Sequence, residues 1–166
     1  GNSKTTSTGE GESEGGITVT NSNAEADTPE FPDGITPSPT RVDVTSNSAD
    51  VTLTIRVTDA SGVGNDPTSY PTPALGKVGS GNITANTRWQ RISGDNKDGT
   101  YQATVNIPTT APPGEYYVMA GYWRDVWGNS KTTSTGEGES EGGITVTNSN
   151  AEADTPEFPD GITPSP

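Results

Sequence analysis

The side chains in this sequence that can do chemistry are carboxylates. No histidine and no cysteine occurs among its 166 residues, so imidazole catalysis, thiolate chemistry and cysteine metal sites are excluded. Eight of the 22 acids fall in four short segments rich in Gly, Pro and Asn: DTPEFPDG (27–34), VTDASGVGND (57–66), GDNKDG (94–99) and RDVWGN (124–129). These carry Asp27, Glu30, Asp33, Asp59, Asp66, Asp95, Asp98 and Asp125, with Asn129 closing the last. Carboxylates held together repel one another, and a hard cation relieves the repulsion: Ca2+ takes about 6–8 oxygens from carboxylates, amides and carbonyls. The ordinary alternative is that Asp and Asn cap turns with their own side chains. For Asp95 and Asp98 capping is the favoured reading, because Lys97 falls where an EF-hand loop needs a ligand. Two carboxylates can also hydrolyse a glycoside. Here no nucleophile elbow or glycine-rich phosphate loop accompanies them, and the chain is expected not to be an enzyme.

The frame that must position these acids is announced by a repeat. Residues 1–39 and 128–166 are identical letter for letter, a register of 127 residues. The chain therefore holds one full period and an overlap, and such a repeat decides where a module starts and stops. In both copies a short strand, GITVTN at 16–21 and at 143–148, precedes a linker and a run of prolines. The expected boundaries lie near Asp27 and Asp154. On that frame residues 1–26 are the tail of a preceding repeat, 27–153 one complete module, and 154–166 the start of the next. Of the two GITVTN copies, the one at 143–148 should take the last place in the module, because it closes the shorter loop.

Within the module the strands are legible from alternation. DVTLTIRVT at 50–58 places Val51, Leu53, Ile55 and Val57 on one face and Thr52, Thr54, Arg56 and Thr58 on the other, the period of two of a sheet with one dry face. Tyr101, Ala103, Val105 and Ile107 alternate in the same way. Further strands are expected at 40–45, with Val42 and Val44 inward, around Leu75 to Val78, at 86–92 around Trp89, at 115–124 (EYYVMAGYWR) and at 143–148. Asn96 to Gly99 reads as a turn in which Asp-Gly supplies the positive φ. About seven strands without a helix predict an all-β fold, an antiparallel β-sandwich.

Composition agrees. Only 26% of residues are hydrophobic, 21 are glycine and 14 proline, and the net charge is −13. An acidic chain of this kind is not expected to bind nucleic acid, whose phosphates require Lys and Arg, and no apolar run approaches a membrane span. Acidity, abundant threonine and the lack of cysteine point to a protein secreted by a bacterium.

The order of segments carries a resemblance: a proline-rich lead-in, VDVTSNSADVTLTIRVTDASGV, DGTYQATVNIPTTAPPGEYYV, then DVWGN before the last strand. This resembles the bacterial immunoglobulin-like repeats of large surface adhesins and is similar to the calcium-dependent extender modules of RTX adhesins. The resemblance implies an immunoglobulin-like Greek key, a place on the bacterial cell surface, and a role as a spacer in an array of identical modules, each a monomer apart from its neighbours in the chain.

In an immunoglobulin-like sandwich the acid-bearing loops share the pole where the chain enters. Asp27, Glu30, Asp59 and Asp125, completed by Asn129 or backbone oxygen, are then the expected Ca2+ ligands. Asp33 and Asp66 lie nearby, and Asp154 repeats Asp27 at the next junction. Bound Ca2+ would stiffen the linkers between modules. A second reading is a carbohydrate-binding module using Tyr116, Tyr117, Tyr122, Trp123 and Trp127; alternation sends half of these into the core, and Trp127 is the one expected at the surface.

Overall fold

The computed structural model describes residues 18, 20, 26–64, 70–135 and 143–150. Most of the strand expected at 16–21, with Asp66, Asp154 and the segments 1–17 and 154–166, lies outside the described residues. Among the described residues eleven strands follow in order: β1 (Ile35–Ser38), β2 (Arg41–Asp43), β3 (Ala49–Thr58), β4 (Ala74–Gly76), β5 (Ile83–Thr84), β6 (Gln90–Gly94), β7 (Asp98–Ile107), β8 (Gly114–Met119), β9 (Trp123–Arg124), β10 (Ser130–Lys131) and β11 (Ile144–Thr147). No helix among the described residues is long and apolar enough to cross a membrane.

The first sheet has the order β1-β3-β7-β6 and is antiparallel throughout. Its spine is the pairing of β3 with β7, in which Val51 faces Val105, Leu53 faces Ala103 and Ile55 faces Tyr101. All six of these side chains are buried on the inner face of the sheet, where cross-strand neighbours pack against one another. One outer edge is β1, where Pro37 lies opposite Leu53; a proline is tolerated there because an edge strand has no second partner waiting for its missing N–H. The other edge, β6, is exposed along its whole length and carries a bulge between Arg91 and Ser93.

The second sheet has the order β2-β11-β8-β4-β5. All its pairs are antiparallel except β2 with β11, which run parallel, Val42 beside Val146. The strand β11 comes from the 143–148 copy of GITVTN, as loop closure predicted, with Ile144 and Val146 buried. The inner faces of both sheets enter a single apolar core, an arrangement consistent with a β-sandwich. At its centre Tyr70, Trp89, Tyr101 and Trp123 pack with ring centroids 4.8–6.1 Å apart, in edge-on and tilted arrangements that suit ring quadrupoles.

The sequence reading needs correction in four places. The proline-rich lead-in holds a strand, β1, that prolines disguised. The aromatic strand expected at 115–124 is two: β8 ends at Met119 and β9 starts at Trp123, because Gly121 turns the chain at φ 78° and lets Pro71 approach so closely that a Cβ there would meet the proline ring at 2.7 Å. Trp89 is fully buried but precedes β6, whose own residues face solvent. The positive φ of the 94–99 turn belongs to Gly94 (74°), and Gly99 is part of β7.

Candidate metal site at the entering pole

The four acid-bearing segments meet at one end of the molecule. Glu30 and Thr58 exchange two backbone hydrogen bonds, 2.8 and 3.0 Å. The amide of Asp59 donates to the Lys97 carbonyl at 2.9 Å, and that of Val63 to the Asn96 carbonyl at 2.8 Å. Val63 bridges Asp125, and the Val126 amide donates to the Gly62 carbonyl at 3.0 Å. Segments of this entering pole are thus neighbours in space while standing far apart in the chain, as with Val63 and Asp125.

Most of them are already partnered. Asp125 is 5% exposed, and both of its oxygens serve its own turn. Oδ1 accepts from the amides of Trp127 (2.9 Å) and Asn129 (2.8 Å), and Oδ2 accepts from the Asn129 side-chain amide (2.7 Å). This is turn capping by an Asp, and it engages both Asp125, an expected Ca2+ ligand, and Asn129, expected to complete the shell. Glu30 takes the Lys131 ammonium at 2.7 Å on both oxygens. Asp33 lies 3.8 Å from Arg56, whose guanidinium grips Asp98 with two bonds of 2.8 and 2.7 Å. Those bonds hold the Asp98 carboxyl below its usual range and raise the already high pKa of Arg56. Asp95 caps the amides of Lys97 (2.8 Å) and Asp98 (3.0 Å), and the Asp98 amide above all holds its carboxyl below the usual range. Capping is therefore right for Asp95, whereas the Asp98 side chain is spent on a cross-strand ion pair.

Asp59 differs. It is 7% exposed. Its Oδ1 accepts from the Ser61 amide, the Ser61 hydroxyl and the Gly62 amide at 3.0, 2.7 and 2.7 Å. Its Oδ2 is buried with no hydrogen-bond partner, an expensive state for a carboxylate oxygen. Asp59 borders an open cavity of about 570 Å³ that Asp27, Glu30, Lys97 and Asp98 also line.

The residues expected to bind Ca2+ therefore fit it only in part. Among the described residues, no group of three or more acids stands close enough to hold a metal. Asp27, Glu30 and Asp59 share one cavity; Asp125 and Asn129 are not among its lining residues and are bonded to each other. Asp66 and Asp154 lie outside the described residues. Sequence reasoning missed the two cations. Arg56 stands opposite Thr100, so Asp98 is its diagonal neighbour across the β3–β7 ladder, a pairing that register alone predicts. Lys131 is 101 residues from Glu30, and nothing local signals their contact.

Of the aromatics offered for stacking on sugars, Tyr116 and Trp123 are core residues, 1% exposed each, while Tyr122 (70%) and Trp127 (43%) face solvent. Comparison with protein-family models and with curated proteins finds no match.

Proposed function

We propose that residues 27–153 are one repeat of an extracellular tandem array, in which immunoglobulin-like Greek-key modules follow one another as spacers on a bacterial cell surface. The observation that carries this reading is the identity of residues 1–39 with 128–166, taken with the strand order. The second GITVTN supplies β11, which already has a neighbour on each side, β2 and β8. That sheet position is filled once, so the first GITVTN is assigned to a preceding copy. The sheet order β1-β3-β7-β6, and the run β11-β8-β4 within β2-β11-β8-β4-β5, parallel the ABED and GFC strands of an immunoglobulin-like domain, which supports the Greek key. Identical modules in series add length without varied recognition.

Calcium enters this reading at the junction. Its support is the partnerless Oδ2 of Asp59 on the cavity that Asp27 and Glu30 line. Recruiting Glu30 would cost its bond to Lys131, an exposed ion pair of the kind that contributes little to stability.

Small-angle scattering on a chain carrying two modules tests both parts. The array reading expects the maximum dimension to grow by one module length, and it fails if the two copies fold into one body. The calcium reading expects that dimension to increase further when Ca2+ is added to the chelated protein. A profile indifferent to Ca2+ removes the metal and leaves the array.

A further inference from the structure

We propose that consecutive copies dock end to end through one apolar contact, with Val126 and Trp127 of each copy seated against the Pro112–Pro113 turn of the copy before it. The proposal rests on the repeat-array reading and goes beyond it, since an array by itself requires only linked beads.

Val126 and Trp127 are 51% and 43% exposed at the tip of the β9–β10 hairpin, whereas Trp89 and Trp123 are buried. The tip is held in shape. Asp125 takes the Trp127 and Asn129 amides, and the Val126 amide is bonded to the Gly62 carbonyl. An apolar pair on a fixed turn keeps its exposed area available without an ordering cost on contact. The hairpin is also fastened to the point where the chain enters, by Lys131 on Glu30.

At the opposite pole the chain leaves beside a matching surface. The Asn148 side-chain amide donates to the carbonyls of Thr109 (2.7 Å) and Ala111 (2.9 Å), which sets the departing chain next to Pro112 and Pro113, both exposed. Residues 45–49 and 109–114 contain no ionisable side chain of their own; Asp43 and Glu115 flank them and the Lys77 ammonium lies against Gly114, so the acidic entering pole of the next copy meets a face with far fewer acids than its own. Prolines lose no rotamer freedom on contact, and an indole brings a large apolar area.

The tether is short. Glu157 in the second copy of the repeat is the counterpart of Glu30, nine residues beyond Asn148, a reach of at most about 30 Å when fully extended. The two faces adjoin the two ends of this tether. A contact too small to hold separate molecules together is then favoured by an effective concentration in about the millimolar range.

Trp127 is its own reporter, because the other two tryptophans are buried. A chain is made with residues 1–127 copied in front of residue 1, and with Trp127→Phe in that front copy. Acrylamide quenching of the remaining exposed tryptophan is compared with that of the single-module chain. Docking expects quenching to fall by about half, as an indole loses its exposed face in the core of a contact, and to recover when the front copy carries Pro112→Ser with Pro113→Ser. Its melting curve checks that the front copy is folded. Equal quenching in the one- and two-module chains overturns the proposal, and so does protection that disappears on dilution, which would mean contact between chains. Scattering on the same samples separates the two readings: additive dimensions with an accessible Trp127 overturn docking alone, and a single compact body overturns the array.

Discussion

The two poles of this module are built from different bonds. At the entering pole, carboxylates organise the loops: Asp125 gathers three donors, Asp59 three on a single oxygen and Asp95 two. At the leaving pole one neutral amide, Asn148, ties the last strand to the turn at 109–111. A hydrogen bond to a charged group contributes about 1.5–3 kcal/mol, a neutral one about 1 kcal/mol. One pole is therefore rich in carboxylate caps and dependent on pH and ions; the other holds one such cap, Asp43 on the Thr45 amide at 2.9 Å, and depends on them less. In the proposed array this asymmetry would favour copies meeting end to end, because two acidic poles facing each other would repel.

The comparison breaks most visibly at Asp125. Asp125→Ala leaves the Trp127 and Asn129 amides without their acceptor inside a bonded turn, and is expected to cost about 2–4 kcal/mol in chemical denaturation. Asn148→Ala, at the other pole, frees two carbonyls and is expected to cost less, about 1–2 kcal/mol. A larger loss for Asn148→Ala would reverse the ranking of the poles.

Asp59→Asn sharpens the comparison. Without calcium the variant is expected to melt below the parent, because the three donors on Oδ1 lose a charged acceptor and the new buried amide nitrogen has no partner. With free Ca2+ about ten times its Kd, one site would add roughly 1.4 kcal/mol to the parent, and the variant is expected to show no such gain. Calcium stabilising both proteins equally would remove Asp59 from the metal site.

The smallest effect is on pH. Asp95 and Asp98 have folded pKa values below the ordinary 3.8, so their contribution is complete above that value and is lost as pH falls through the lower folded values. Asp43 at the leaving end, held low chiefly by the Thr45 side chain, behaves in the same way. Acid titration of stability should therefore be flat from neutral pH to about 4 and steepen below it. Asp95→Asn with Asp98→Asn should shallow the fall without abolishing it; an unchanged slope would show that these two carboxylates do not contribute.

How much of this was legible in the sequence depended on the range of the signal. β3 and β7 were readable because an unbroken alternation runs through Val51 to Val57 and Tyr101 to Ile107. β11 was readable from the repeat. β1 was not, because Pro37 and Pro39 mask a strand that needs partners on only one side, and β5, β9 and β10 are two residues each, too short to show a period. The gathering of acids at one pole was foreseeable from loop order. Their partners were not: Lys131 meets Glu30 only through the folded chain, and Asp125 as a turn cap and Asp125 as a metal ligand look the same in one dimension.

The central claim, that identical sequence serves two different modules, has a direct internal control. Val19 and Val146 occupy the same position in the two copies of GITVTN, and Val146 is 1% exposed between β2 and β8. Val146→Asp is expected to abolish the cooperative thermal transition of the chain, and Val19→Asp to leave its melting temperature unchanged. If Val19→Asp unfolds the chain, or Val146→Asp is tolerated, the first copy belongs to this fold and the array account is contradicted.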